Sequence, residues 1–236
     1  MHPSEKPETI FPPCIVLLGG PGSGKGTHGQ AVADALGIQH LSSGEHFREQ
    51  IQKETPLGLQ AKALIEKGRL APDTLANALI RDLLTRQGLG NGWVLDGYPR
   101  SLPQAEALTV LLGELGLGVS FALYLRLDDE EIKQRLSGRL TCRACGQTFH
   151  ELFNKPKEAD RCDNCGGDLF RRNDDEPATI RNRIEIFHEM IGPLLDYYKK
   201  SGLLSEVDVS GPVDVVRQRV TEQVALLLDR SNKAGA

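Results

Sequence analysis

No stretch of this chain stays apolar for the roughly 18–20 residues a membrane helix needs, which excludes a helical membrane span. There is no excess of positive charge either. Lys and Arg number 28 against 32 Asp and Glu, a net charge of −4, whereas a general nucleic-acid binder is usually basic. The N-terminus lacks the apolar core of a secretory signal and the arginine-rich, acid-free character of a transit peptide. Its first thirteen residues hold Pro3, Pro7, Pro12 and Pro13 with Glu5 and Glu8. Residues 1–13 are therefore expected to be a flexible leader, and the protein soluble and cytoplasmic. Internal repeats, collagen patterns and long heptads are absent, and 39% hydrophobic with 25% charged residues is ordinary globular composition. Cysteine is scarce. Of the five, four fall in two CxxC pairs, which in a reducing compartment point to a metal and away from disulfides.

What is present alternates. Cys14–Leu18 is a short continuous apolar run ending in glycines, as a strand buried on both faces should be. Trp93–Asp96 and Phe121–Leu127 read as two further strands, and Leu203–Val209 as a weaker fourth. Helical patterns fall at about 24–36, 58–67, 72–86, 101–113, 129–137 and 213–228. A longer one starts at Pro177, with Ile180, Ile184, Phe187 and Ile191 three or four apart, and Pro193 is expected to kink or break it. Strands alternating with helices predict an α/β fold with a parallel sheet flanked by helices. From Gly138 to about Asp175 the rhythm stops, and that segment, which carries the four paired cysteines, reads as a small inserted unit.

Gly19-Gly20-Pro21-Gly22-Ser23-Gly24-Lys25-Gly26-Thr27 lies between the first strand and the first helix. Glycines let successive backbone N–H groups turn toward one anion, the helix N-terminus adds positive potential, and Lys25 adds a full charge. This is a phosphate-binding loop for a nucleoside triphosphate. The usual loop places a Ser or Thr hydroxyl for Mg²⁺ directly after the lysine, but here that position is Gly26. A carboxylate that orients the ion's waters is then needed, and Asp96 at a strand's carboxyl end is the candidate, a turn or cap Asp being the bland alternative.

The loop ending Gly-Lys-Gly-Thr, together with Asp96-Gly97-Tyr98-Pro99-Arg100, resembles the adenylate kinase family of nucleoside monophosphate kinases. Further matches follow in order. Leu41–Arg48 resembles the segment opening the monophosphate-binding domain, Gln104 follows Arg100 at the family's spacing, Arg135–Arg139 resembles the way into the lid, and Arg172–Asp175 with Arg183 the way out. The resemblance implies a P-loop core over 14–41, 73–137 and 176–236, an AMP-binding domain over 42–72, a zinc-binding lid over 138–175, and a monomer. It implies transfer from Mg²⁺-bound ATP to AMP, giving two ADP. Gly22, Ser23, Gly24, Lys25, Gly26, Thr27, Arg135 and Arg139 would then bind ATP. Ser43, Arg48, Arg69, Ala71, Gly97, Arg100, Gln104, Arg172 and Arg183 would bind AMP. Lys25, Asp96, Arg100, Arg135, Arg139, Arg172 and Arg183 would serve the transfer. Such a reaction needs no general base, because the attacking phosphate oxygen is already anionic; alignment and charge are what it needs, and arginine supplies both.

Three positions depart from the family: Ser43 where Thr is common, Glu45 where Asp is common, and His28 where Gln often stands. His28 is expected to be a solvated helix residue. Asp174 and Asp175 have two open readings, pairing with lid arginines or capping the helix that begins at Pro177.

Cys142-x2-Cys145 and Cys162-x2-Cys165 are separated by sixteen residues, and a glycine follows each pair. Two such turns bring four thiolates within tetrahedral reach of one Zn²⁺. The set is closed, so its role is structural, and a unit of some forty residues has too small a core to do without a staple. Cys14 is expected to be a buried core thiol, and His150 a lid residue near the nucleotide, not a metal ligand. A UMP/CMP or GMP kinase of the same fold is the near alternative, and a zinc-ribbon nucleic-acid module the distant one. A GTPase is excluded by the missing Asn-Lys-x-Asp: Asn154-Lys155 is followed by Pro156-Lys157, and Asn232-Lys233 by Ala234-Gly235.

Overall fold

The computed structural model describes residues 12–87 and 91–234. The expected leader therefore lies, up to residue 11, outside the described residues. In chain order the secondary structure runs β1 (Cys14–Gly19), α1 (Lys25–Leu36), β2 (Gln39–Ser42), α2 (Ser43–Gln52), α3 (Pro56–Ile65), α4 (Asp73–Gln87), β3 (Trp93–Asp96), α5 (Leu102–Glu114), β4 (Phe121–Arg126) and α6 (Asp129–Ser137). It continues with β5 (Arg139–Cys142), β6 (Thr148–His150), β7 (Leu169–Phe170), a 3-10 turn (Asn173–Asp175), α7 (Pro177–Lys200), β8 (Leu204–Asp208) and α8 (Val213–Ala234).

Five strands form one parallel sheet in the order β2-β3-β1-β4-β8. Alternation along β1 shows why its sequence is apolar throughout. Cys14, Val16 and Leu18 enter one core with Leu79, Ile80 and Leu84 of α4, Leu108 and Leu112 of α5, and Leu194 and Tyr198 of α7. Ile15 and Leu17 enter a second core with Val32 of α1 and Val216, Val220 and Val224 of α8. A strand covered on both faces has no polar side to show.

Two points differ from the sequence reading. The sheet has five strands where four are expected, since β2 is four residues long and its first half, Gln39 and His40, is polar. Helix α7 runs unbroken through Pro193. Proline removes one backbone hydrogen bond at a cost of about 3 kcal/mol, but Ile180, Ile184, Leu194 and Tyr198 are buried along both halves of α7 and hold it continuous. Packing outweighs local preference here.

Two excursions leave this core. Helices α2 and α3 pack on each other between β2 and α4, with Gly58 at the crossing: a Cβ there would lie 2.1 Å from the carbonyl oxygen of Gln50. Strands β6-β5-β7 form a separate antiparallel sheet between α6 and α7. Its apolar core is small, with Cys142, Phe149, Cys162 and Leu169 buried and Leu140 packed against them.

Candidate active site and metal centre

Parallel strands deliver their carboxyl ends to one edge of the sheet, and the site grows there. In register, Leu17 and Ser42 both sit beside Asp96, so the end of β1, the start of α2 and the acidic residue meet. The glycine loop turns from β1 into α1 through Gly24 in the left-handed region (φ 86°), which a side chain would resist. A Cβ on Gly24 would also lie 2.7 Å from the ring of His28.

Lys25 folds over the loop, its ammonium donating to the carbonyl oxygens of Gly19 (2.8 Å) and Gly20 (2.7 Å). Burial lowers its pKa to about 8, against the opposing pull of Asp96 and helped by Arg100, Arg183 and Arg139. Asp96 is buried too. Burial alone would raise its carboxyl, but His40, Lys25 and Arg100 hold it below the usual range, so it stays ionised. The Nε2 of His40 lies 3.6 Å from Asp96 Oδ2, in ion-pair range but beyond a hydrogen bond.

A cleft of about 1600 Å³ opens from this edge. It is walled by the glycine loop, by Ser43, Arg48, Arg69 and Ala71 on the α2–α4 side, by Gly97, Arg100 and Gln104 after β3, and by Arg135, Arg139, Arg172 and Arg183 on the side of the cysteine-bearing unit. Burial lowers the pKa values of Arg48, Arg100 and Arg183; Arg139 adds like charge for Arg48 and Arg183, Arg183 and Arg48 add it for Arg100, and nearby carboxylates oppose. Arg172 falls to about 9, first through burial and then through the charges of Arg139 and Arg48, with Asp174 and Asp175 opposing. Mutually depressed cations around one cavity are an anion site held ready.

Hydrogen bonds set each guanidinium. Arg100 Nε donates to the carbonyl of Gly97 at 2.7 Å, and its backbone N–H donates to Gln104 Oε1 at 2.8 Å. Gln104 in turn donates to Asp73 Oδ1 at 2.7 Å. Arg135 Nη2 donates to Glu131 and to the carbonyl of Val209, both at 2.6 Å. Arg172 Nε donates to Thr141 Oγ1 at 2.9 Å. Arg139 and Arg183 both bind Asp175, and Arg183 also reaches Asp174 at 3.0 Å. The two aspartates therefore pair with arginines, and the capping alternative fails: Glu176 holds the N-cap position of α7 without a side-chain bond.

Two expected positions fall elsewhere. Ser23 does not wall the cleft; its side chain is fully buried, with its oxygen 3.4 Å from Lys25 Nζ. His28 is buried instead of solvated, at 3% exposure, because the helix face that carries it turns toward the loop. Burial, with Arg135 and Arg217 adding like charge, lowers its pKa to about 4. Cys14 is fully buried as expected, and burial raises its thiol to about 12. Sequence reasoning missed His40, Asp73, Thr141 and Thr148, whose Oγ1 lies 3.4 Å from that of Thr27. Each acts across 20 or more residues, and no local pattern marks any of them.

In the small sheet the sulfurs of Cys142, Cys145, Cys162 and Cys165 lie within 4.8 Å of one another. The pairs Cys142–Cys165 and Cys145–Cys162 stand at 3.5 and 3.6 Å. A tetrahedral Zn²⁺ with bonds of about 2.3 Å needs sulfurs about 3.8 Å apart, so the set fits the ion closely. Two matching turns build it. The N–H of Gly146 bonds the carbonyl of Cys142, and that of Gly166 the carbonyl of Cys162. Burial would raise the Cys142 thiol, but backbone N–H groups of Cys145 and Ala144 and the thiol of Cys165 together bring it down to about 7. His150 stands apart from the set, its Nε2 donating to the carbonyl of Gln134 at 3.1 Å while Nδ1 accepts from the backbone of Leu152.

A glycine loop with its lysine, facing a ring of arginines, is the arrangement of a P-loop phosphotransferase. Comparison with known proteins narrows this. The family model described as Adenylate kinase matches residues 17–203. Similar curated proteins include the adenylate kinases of Lachnospira eligens (45% identical, covering 86% of this chain and 95% of that one) and Salinispora tropica (43%, covering 88% and 96%). That of Methanothrix thermoacetophila is 40% identical, again over 88% of this chain and 96% of its own. The chain belongs to the adenylate kinase family.

Proposed function

We propose that this chain moves a phosphoryl group reversibly between ATP and AMP, giving two ADP. One observation carries the reading: Lys25, Arg48, Arg100, Arg139, Arg172 and Arg183 share one cleft with a carboxylate, Asp96, kept ionised at its floor. Both substrates are polyanions, so the protein's task is to hold them in line and offset the repulsion between them. The loop and Lys25 take the β- and γ-phosphates of ATP, with Arg135 and Arg139 along the lid side. Arg48 and Arg100 flank Gly44 and take the AMP phosphate: a Cβ on Gly44 would lie 3.4 Å from Arg48 Nη1 and 3.8 Å from Arg100 Nη2. Arg172 and Arg183 reach the transferring group between them. Ser43, Arg69, Ala71, Gly97 and Gln104 complete the AMP side; Gln104 keeps one amide hydrogen and one lone pair beyond its bonds to Asp73 and Arg100.

Mg²⁺ enters with ATP and, when bound, spreads the charge of the phosphate oxygens. Asp96 is the residue to meet its waters, since Gly26 leaves no hydroxyl after Lys25 and stands open toward Asp96 Oδ2, 3.6 Å from where a Cβ would sit. Zn²⁺ belongs to the four cysteines, where it replaces the missing core of the 138–175 unit. That unit is the lid and 42–72 the AMP-binding part, and closure of the lid excludes water that would otherwise take the phosphoryl group. The reading extends to a monomer in the reducing cytosol, supported by cysteine spacing that suits a metal. Among the described residues, no helix is long and apolar enough to cross a membrane.

The test is a phosphotransfer panel of ATP or GTP against AMP, GMP, CMP and UMP. ATP with AMP should give the highest kcat/KM and equal ADP from both sides. A preference for UMP, CMP or GMP would replace the acceptor assignment, and retention of RNA or DNA on a filter without phosphotransfer would replace the whole reading.

A further inference from the structure

His28 takes no part in the steps above, yet its placement is unusual for a residue without a role. It stands in the first turn of α1, one residue beyond Thr27, with its ring against Gly24 of the loop. Only 3% of it is exposed, its Nδ1 has no hydrogen-bond partner, and the ring nonetheless forms part of the cleft wall. With Nδ1 sealed against protein, the ring nitrogen left to bond is Nε2, which lies beside the loop: a Cβ on Gly24 would sit 2.9 Å from it. An unpaired acceptor is less costly to bury than an unpaired N–H, which puts the proton of the neutral ring on Nε2.

We infer that His28 is a contact for the donor nucleotide, its Nε2–H directed at an oxygen of the sugar–phosphate end of ATP. Two groups of charges fix the side. Lys25 responds to Asp96, Arg100, Arg183 and Arg139, which mark the end where the phosphoryl group moves. His28 responds to none of these but to Arg135 of α6 and Arg217 of α8. Arg217 is paired with Asp214 at 3.4 Å, and Gly211, Pro212 and Val213 complete that corner of the cleft. A triphosphate laid along the loop with its γ end at Lys25 brings its sugar end toward this corner. Burial that holds His28 to about 4 keeps the ring neutral near pH 7, so it donates without adding to the cation load.

The inference rests on the donor being a nucleoside triphosphate seated on the glycine loop. Its test compares His28→Ala and His28→Gln with the parent protein, and follows the ¹⁵N signals of the His28 ring during titration. A non-hydrolysable ATP analogue should shift the Nε2 signal and AMP should not. His28→Ala should raise KM for ATP by about 3- to 10-fold, the worth of one hydrogen bond, with KM for AMP within about twofold; His28→Gln, which restores an N–H, should recover most of the loss. An Nε2 signal indifferent to the ATP analogue overturns the proposal, even if the Ala variant fails to fold. Equal rises in both KM values, unrepaired by Gln, overturn it in favour of simple packing. Loss of transfer from ATP in the parent protein would instead remove the donor reading itself.

Discussion

Arg139 and Asp175, 36 residues apart in the chain, form a two-pronged ion pair: Nε and Nη2 of the arginine donate to the two carboxylate oxygens at 2.7 and 2.5 Å. The aspartate side chain is only 4% exposed, and Arg183 binds the same carboxylate at 2.9 Å. One residue thus ties the start of β5 to the start of α7, the two segments leading into and out of the cysteine-bearing unit. Asp175→Asn keeps the shape and removes the charge that two arginines share. It should lower stability by about 2–4 kcal/mol, below the full range for a buried pair because Arg139 is 15% exposed. In a chain of this size that is a fall in Tm of roughly 5–12 °C by calorimetry. A change below about 2 °C would show that the pair does not hold these two segments together.

Lys25 sets a pH dependence. Its amine is lowered to about 8 in the folded protein, so the free enzyme loses the charge as pH passes 8. The sign for stability is the reverse of the usual lysine case: between about 8 and its ordinary value near 10.4 the unfolded chain binds the extra proton, so this residue's contribution rises with pH across that window. For catalysis, kcat/KM for ATP should fall above pH 8, because it reports the free enzyme. The kcat profile should stay flat further into the alkaline range, since bound phosphates favour the charged amine. Lys25→Arg should move the kcat/KM limb upward. A limb common to kcat and kcat/KM, unmoved by Lys25→Arg, would assign it to another group.

The four-cysteine unit should depend on its metal. Elemental analysis should give one zinc per chain. Cys142→Ser should make residues 138–175 the first site of proteolytic cleavage and lower Tm, while phosphotransfer stays within about tenfold, because a closed four-sulfur site takes no part in the chemistry. The core it supports is only Phe149, Leu169, Leu140, Cys142 and Cys162. A metal-free protein with unchanged Tm would leave that small core sufficient alone.

Much of this is legible in the residues, and the boundary has a physical cause. The loop from Gly19 to Thr27, the apolar run of β1 and the paired cysteines are local patterns, in which neighbours in sequence are neighbours in space. Asp96 stands out as a polar residue ending an apolar strand. His40 does not, because β2 is too short to show alternation and His40 matters only when β2 pairs with β3 and sets it beside Asp96. The bond from Gln104 to Asp73 spans 31 residues and joins two helices, which no spacing announces. His28 escapes sequence reasoning for the same reason: the loop's fold, not the helix period, decides which side of α1 is covered.

Arg100 offers a test that separates charge from geometry. Its Nε is already committed to the carbonyl of Gly97, which leaves the two terminal nitrogens, Nη2 beside Gly97 and Gly44, for the AMP phosphate of the proposed reading. Arg100→Lys keeps the charge but cannot keep both the tether and the two-pronged contact, since an ammonium has no fork. Losing two charge-assisted hydrogen bonds at about 1.5–3 kcal/mol each should lower kcat/KM for AMP by roughly 10²- to 10⁴-fold. KM for ATP should change by less than about threefold, because the glycine loop and Lys25 are untouched. If Lys restored most of the activity lost in Arg100→Ala, the residue would act as a point charge and the fork would be incidental. Equal losses for ATP and AMP would place Arg100 between the substrates instead of on the acceptor.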